Sequence, residues 1–231
     1  MKIAAGPVAL FRAHEDCAGT VARLAERGIA AVIAPVTELE AAPAELPSGR
    51  FDFALATSAK AIEFAPAEAL AAIRDLPLYV VGEKTAAAAR AQGCAPAAVA
   101  PDVGRLAPQL DGVGGRALYL AGRDRKPDLE TALSGRLVAL VVYAARERAG
   151  WSAEEAQAVA GAAAALHYSE RGAALASAFA EAAGVGAAFR RLRHVCMARH
   201  VAAPLAALRA FWPQSPTELA LLDTLESALA D

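Results

Sequence analysis

Cysteine is scarce in this chain of 231 residues: Cys17, Cys94 and Cys196 are odd in number and far apart. That argues against a disulfide framework or a cysteine-rich zinc site and fits a reduced, cytosolic protein. A dominant charge is missing too, since 23 Lys and Arg face 25 Asp and Glu for a net −2. No bulk electrostatic case exists for nucleic acid or for a membrane surface. Aromatic residues are only 6% of the chain, and the apolar 56% leans on alanine, in runs such as 86–89 and 162–165. Alanine is the best helix former, so these runs argue for closely packed helices. No run of about 18 apolar residues lacks charge or glycine, which leaves no candidate transmembrane helix. The opening MKIAAGPVALFRAHEDC reaches charge too early for a secretory signal, so a cytoplasmic location is expected.

Cofactor signatures are missing as well. No Gly-x-Gly-x-x-Gly opens a helix; Gly112–Gly115 precedes a strand instead, and no Gly-Lys-Ser/Thr phosphate loop exists. His14, His167, His194 and His200 show no metal-ligand spacing, and His167, inside an apolar strand, reads as a hydrogen-bonded core histidine. The expectation is no metal and no cofactor.

What is present is an alternation of short apolar strands with alanine-rich helices. Strands are expected at Val8–Arg12, Ala30–Pro35, Asp52–Thr57, Leu78–Val81, Ala97–Ala100, Ala117–Ala121, Leu137–Tyr143, Ala164–Tyr168 and Val195–Ala198. Helices are expected between them, among others at Cys17–Glu26, Ala59–Ile73, Lys84–Gln92, Ala153–Ala160, Arg171–Ala182, Val201–Ala210 and Pro216–Ala228. Crossovers of helical length imply parallel pairing and sheets covered on both faces.

An internal repeat refines this. FDFALATSAKAIEFA (51–65) and AALHYSERGAALASAF (164–179) share an apolar strand, a serine, a charged residue two positions on, then an amphipathic helix. Each is followed by another strand–helix unit, LYVVGEKTAAAAR (78–90) and HVCMARHVAAPL (194–205). The expected fold class is therefore α/β: two similar parallel-sheet domains joined by a two-segment linker. One is discontinuous, 1–35 plus 150–231; the other is 44–142, with linkers at 36–43 and 143–149.

Ligands of open parallel sheets bind outside the carboxyl ends of the strands, where helix N-termini present unpaired N–H groups to anions. Thr57-Ser58, Gly82–Thr85, Gly122-Arg123 and Ser169 with Arg171 fall at such ends. Ser58 and Ser169 are either ordinary N-caps or, as a facing pair, a two-sided anion site. Lys60 and Arg171, two residues beyond each serine, would add cationic hydrogen bonds or stand merely solvated. Gly82 lets the backbone approach a ligand, with Lys84 and Thr85 beside it. Arg123, Arg125 and Lys126 form the densest basic patch. Tyr143, at a strand end opening the second linker, is a packing residue or the one well-placed neutral acid.

The ordered set D-F-A-L-A-T-S-A-K-A-I-E-F (52–64), L-Y-V-V-G-E-K-T-A (78–86), A-L-Y-L-A-G-R-D-R-K-P-D-L (117–129), V-V-Y (141–143) and S-P-T-E-L (215–219) resembles uroporphyrinogen-III synthases over nearly the whole chain. The resemblance implies two α/β domains on a two-stranded linker and a cofactor-free lyase of haem biosynthesis. Its substrate would be hydroxymethylbilane, a linear tetrapyrrole polycarboxylate. Loss of the terminal hydroxyl as water gives an azafulvene, which attacks ring D at its substituted carbon; a spiro intermediate then lets ring D invert before closure. By position Thr85 matches the family threonine, Tyr143 the tyrosine proposed to assist loss of the hydroxyl, and Ser58 and Ser169 the strand-end serines. The second Gly-x-x-Thr turn departs from the pattern, reading Arg199-His200-Val201-Ala202, so Arg199 is expected to supply a carboxylate contact instead. A monomer is expected, in transient contact with the preceding enzyme of the pathway. One other reading, a two-lobed small-ligand binding protein, fits the same repeat; a third, a nucleotide-dependent transferase, is disfavoured by the missing phosphate loop.

Overall fold

The computed structural model describes residues 6–125, 127–133 and 135–230. The chain begins with β1 (Val8–Leu10), α1 (His14–Glu26), β2 (Ala31–Ile33) and β3 (Thr37–Ala41). It continues through β4 (Phe53–Ala56), α2 (Ala59–Glu63), α3 (Ala67–Ile73), β5 (Leu78–Val81), α4 (Glu83–Ala91), β6 (Pro96–Ala100) and α5 (Val103–Leu106). Next come β7 (Ala117–Gly122), α6 (Asp128–Ala132), β8 (Leu137–Glu147), α7 (Ala153–Ala160), β9 (Ala164–His167) and α8 (Glu170–Ala182). Last are α9 (Gly186–Phe189), β10 (Arg193–Cys196), β11 (Ala210–Phe211) and α10 (Glu218–Ala230). The contacts divide the chain into a discontinuous unit one, Met1–Glu38 with Arg146–Asp231, and a continuous unit two, Leu39–Ala145.

Each unit is built on one sheet. Unit one orders its strands β11-β10-β9-β1-β2; the other sheet runs β6-β5-β4-β7-β8, with β3 added beside β8. The two orders are the same path, with β4 and β9 carrying the repeated serine segments at equivalent central positions. All the pairings among these ten repeated strands are parallel. Parallel strands covered on both faces read as unbroken apolar runs. Accordingly every residue of β4, β7 and β9 is buried. Alternate side chains feed opposite faces: Ala54, Ala56, Leu118 and Leu120 enter one core of unit two, while Phe53, Leu55, Ala117 and Tyr119 enter the other. No helix among the described residues is long and apolar enough to cross a membrane.

Proline explains two departures from the expected elements. The helix expected over Ala59–Ile73 is two helices, because Pro66 lacks an N–H and disfavours helical geometry at Ala65. The helix expected at Val201–Ala210 is a short 3-10 segment, Arg199–Leu205, containing Pro204, after which β11 joins the sheet beside β10. The polar stretch 144–147, expected as linker, continues β8 as strand, so Tyr143 lies inside β8 and not at its end. Likewise β3 forms inside the first expected linker. The short α9 was not foreseen.

Candidate functional site

In these strand orders the chain steps outward from the first strand and returns on its other side. The switch point falls between β4 and β7 in unit two and between β9 and β1 in unit one. The crevice at the carboxyl ends of such a pair is where ligands bind.

In unit two that crevice is a cavity of about 300 Å³, bordered by Thr57, Ser58, Tyr119, Asp124, Asp128 and Tyr143. Tyr143 is held by packing. Its ring stacks on Phe64 at 5.8 Å, and a Cβ added at Gly122 would stand 2.6 Å from its Cζ, so glycine alone admits the ring there. The backbone N–H of Arg123 donates to the Tyr143 carbonyl at 2.9 Å. Across the cavity the Thr57 and Tyr119 hydroxyls are 2.7 Å apart. Burial pushes the Tyr119 phenol above its usual range, against the opposing Thr57 hydrogen bond, so it remains a neutral O–H. Arg125 is neutralised, donating to Glu130 at 2.6 Å and to the Gly122 carbonyl at 3.0 Å. Asp124 and Asp128 are exposed, so two carboxylates stand at the cavity beside Arg125.

The corresponding crevice of unit one is occupied by its own side chains. The Thr20 hydroxyl lies 3.2 Å from that of Tyr168 and donates to Glu218, and Tyr168 donates to the same carboxylate at 3.4 Å. The Arg12 guanidinium sits 4.4 Å above the Tyr168 ring.

The residues singled out in the sequence divide accordingly. Thr57, Ser58 and Tyr143 meet at one cavity. Both serines are N-caps: Ser58 Oγ accepts from the Lys60 N–H at 3.2 Å and Ser169 Oγ from the Gly172 N–H at 3.1 Å. Each hydroxyl keeps its proton for donation. Lys60 is already engaged, its ammonium 2.6 Å from Glu63. Arg171 is exposed, 3.9 Å from Glu147. Gly82 opens α4 with φ 81° and ψ 147°, its N–H bonded to Ala100 at 2.8 Å, and no side chain caps the helix. Lys84 beside it is exposed, whereas Thr85 is only 3% exposed. Arg123 is exposed, and Lys126 lies outside the described residues. Arg199 stands on the rim of a second, larger cavity in unit one.

Two residues at these cavities were not anticipated. Tyr119 sits mid-strand, and its one signal was a polar-tipped side chain in the apolar run ALYLAG. Trp212 follows β11 and is 45% exposed. The thiols offer no nucleophile: burial pushes Cys17 up to about 11 and Cys196 to about 12. Among the described residues no three His, Cys, Asp or Glu side chains group to hold a metal ion.

The family model for uroporphyrinogen-III synthase HemD matches residues 19–223. No curated protein matches the chain. Among solved structures the chain is similar to uroporphyrinogen-III synthetase from Helicobacter pylori 26695, at 17% identity and a TM-score of 0.55. That alignment covers 96% of this chain and 99% of that one. A mutant uroporphyrinogen III synthase from the extremely thermophilic bacterium Thermus thermophilus is similar at 19% identity and a TM-score of 0.49, over 97% and 99% of the two chains.

Proposed function

The chain belongs to the uroporphyrinogen-III synthase family, and from that premise we propose that the reacting end of its substrate occupies the cavity beside Tyr143. As a member it is a lyase of haem biosynthesis that cyclises hydroxymethylbilane to uroporphyrinogen III. The first step expels the terminal hydroxyl as water and leaves a cationic azafulvene. Two groups at the cavity suit that step. The Tyr143 hydroxyl, which no described residue engages, donates a proton to the departing oxygen. The carboxylates of Asp124 and Asp128 face the positive charge as it develops, which is where preorganised charge contributes most. The neutral O–H pair of Thr57 and Tyr119 fixes the opposite wall.

The substrate's own carboxylates need N–H and cationic partners, which Asp124 and Asp128 do not supply. The uncapped start of α4, at Gly82, Lys84 and Thr85, and the start of α8, at Ser169 with Arg171, supply N–H groups and cations. Arg123, exposed beside the cavity, and Arg199 add two more. Each such carboxylate–helix contact is worth roughly 0.3–1 kcal/mol, so several must act together. Positioning then carries most of the catalysis, because the flexible bilane must be held in the conformation that favours spiro attack over direct closure.

The observation that carries the reaction is the family match over 19–223. The test is isomer analysis after incubation with hydroxymethylbilane: type III product is expected, and type I alone would overturn the reading. Tyr143→Phe should keep the fold and the type III outcome while lowering kcat by roughly 100-fold, the scale of one general acid. Full turnover by that variant would remove the tyrosine from the proton transfer.

A further inference from the structure

Unit one carries a second cavity, of about 710 Å³, whose floor is Ala202, Leu205, Leu208 and Ala210. One rim is Trp212, an aromatic ring 45% exposed on a chain that keeps nearly all its large apolar side chains covered. The lining also carries one guanidinium and one imidazole: Arg199 and His200 are exposed, none of the described lining residues is acidic, and no described residue pairs with Arg199. An apolar floor, one flat aromatic face, a guanidinium and an imidazole make a site for a planar ring bearing carboxylates.

The position in the fold points to the same ligand. The turn after β10 is the equivalent of the turn after β5, where Gly82 opens an uncapped helix. Here glycine and threonine are replaced by Arg199-His200-Val201-Ala202, and the segment is a 3-10 turn interrupted by Pro204. Backbone donors are thus traded for the side-chain donors of Arg199 and His200, and the indole lines the same cavity.

We propose that this groove seats one pyrrole ring of the bilane, stacked on the Trp212 indole, with its two acidic substituents held by Arg199 and His200. The assignment rests on the bilane-cyclising reading above. A pyrrole is flat and electron-rich and carries no charge of its own. The indole therefore supplies contact area, while Arg199 and His200 supply the hydrogen bonds that orient the ring.

Steady-state kinetics on Trp212→Ala, Trp212→Phe and Arg199→Gln test it, with porphobilinogen as a monopyrrole probe of tryptophan fluorescence. Trp212→Ala should raise KM about tenfold with kcat within about twofold of the parent, and Trp212→Phe should recover most of the affinity. Arg199→Gln should raise KM in a salt-sensitive way. Porphobilinogen should quench the parent protein but not Trp212→Phe, whose remaining Trp151 is packed against Phe11 and Phe179. A folded Trp212→Ala variant with unchanged KM would overturn the proposal. Should that variant misfold, absence of Trp212 quenching in the parent would overturn it. A dimer that Trp212→Ala dissolves without change in KM would make the groove a self-interface and sink the proposal as well. Type I product from the parent would defeat the reaction assignment alone; quenching of Trp212 would still support a pyrrole site.

Discussion

His167 and His194 sit side by side in the centre of unit one, 1% and 0% exposed. Their hydrogen bonds fix the tautomers in sequence. His194 Nε2–H donates to the Phe189 carbonyl at 3.0 Å, so its Nδ1 accepts from His167 Nε2–H at 3.0 Å. His167 Nδ1 is left as a buried bare acceptor, and a proton there would find no partner among the described residues. Burial lowers both rings, His167 well below its ordinary range with neighbouring His194 adding to the effect, and His194 to about 4. A group depressed in the folded state contributes stability that is present above the unfolded pKa and is lost as pH falls toward the folded one. Two histidines that protonate near 6.5 only when unfolded thus withdraw about 3 kcal/mol from unit one by about pH 5.5. Urea unfolding at about pH 7.5 and 5.5 checks this. His167→Leu, which removes one titrating ring, should halve the slope.

Whole elements follow local rules where capping and periodicity agree. Helix α7 has the bounds expected from sequence, Ala153–Ala160, and its start shows why. Ser152 Oγ accepts from the Glu155 N–H at 3.1 Å, and the Glu155 carboxylate accepts from the Ser152 N–H at 2.7 Å. Arg148 donates to the same carboxylate at 2.8 and 3.1 Å and to the Pro35 carbonyl at 2.7 Å. Burial pushes Glu155 up, but the hydrogen bonds from Arg148 and Ser152 outweigh it and hold the carboxyl below its usual range. Ser152→Ala should cost about 1 kcal/mol, and Glu155→Ala more, because it also leaves Arg148 without its acid; denaturant midpoints measure both. Strand β5 was legible for the same reason, an apolar run with clear stops at Pro77 and Gly82. Elements governed by distant pairing were not. The polar end of β8 is strand although its own residues read as linker, and β11 exists only because β10 lies beside it. The site divides in the same way. Thr57 and Ser58 could be placed from a strand end, whereas Tyr143 lies inside β8 and Tyr119 reaches them through the register that sets Leu55 opposite it across β4 and β7. Trp212 in turn becomes informative only when its exposure is known.

At the scale of the molecule, the repeated strand order gives each unit its own interior. The two cores of unit two draw only on residues between 39 and 145, and those of unit one only on the flanking segments. A continuous segment with two covered sheet faces has what an independent domain needs. The fragment 37–147 is therefore expected to fold alone and unfold cooperatively in urea. The distribution of two residue types makes the independence measurable in the intact chain. All four histidines, including the buried pair, lie in unit one, and so do both tryptophans, Trp151 and Trp212. Tryptophan fluorescence thus follows unit one alone, while circular dichroism follows both. Between about pH 7.5 and 5.5 the fluorescence midpoint should move to lower urea as the histidine pair withdraws its contribution, and the isolated fragment should keep its midpoint. Coincident fluorescence and dichroism transitions at both pH values would show instead that the units unfold as one, with the histidine penalty shared by the whole chain.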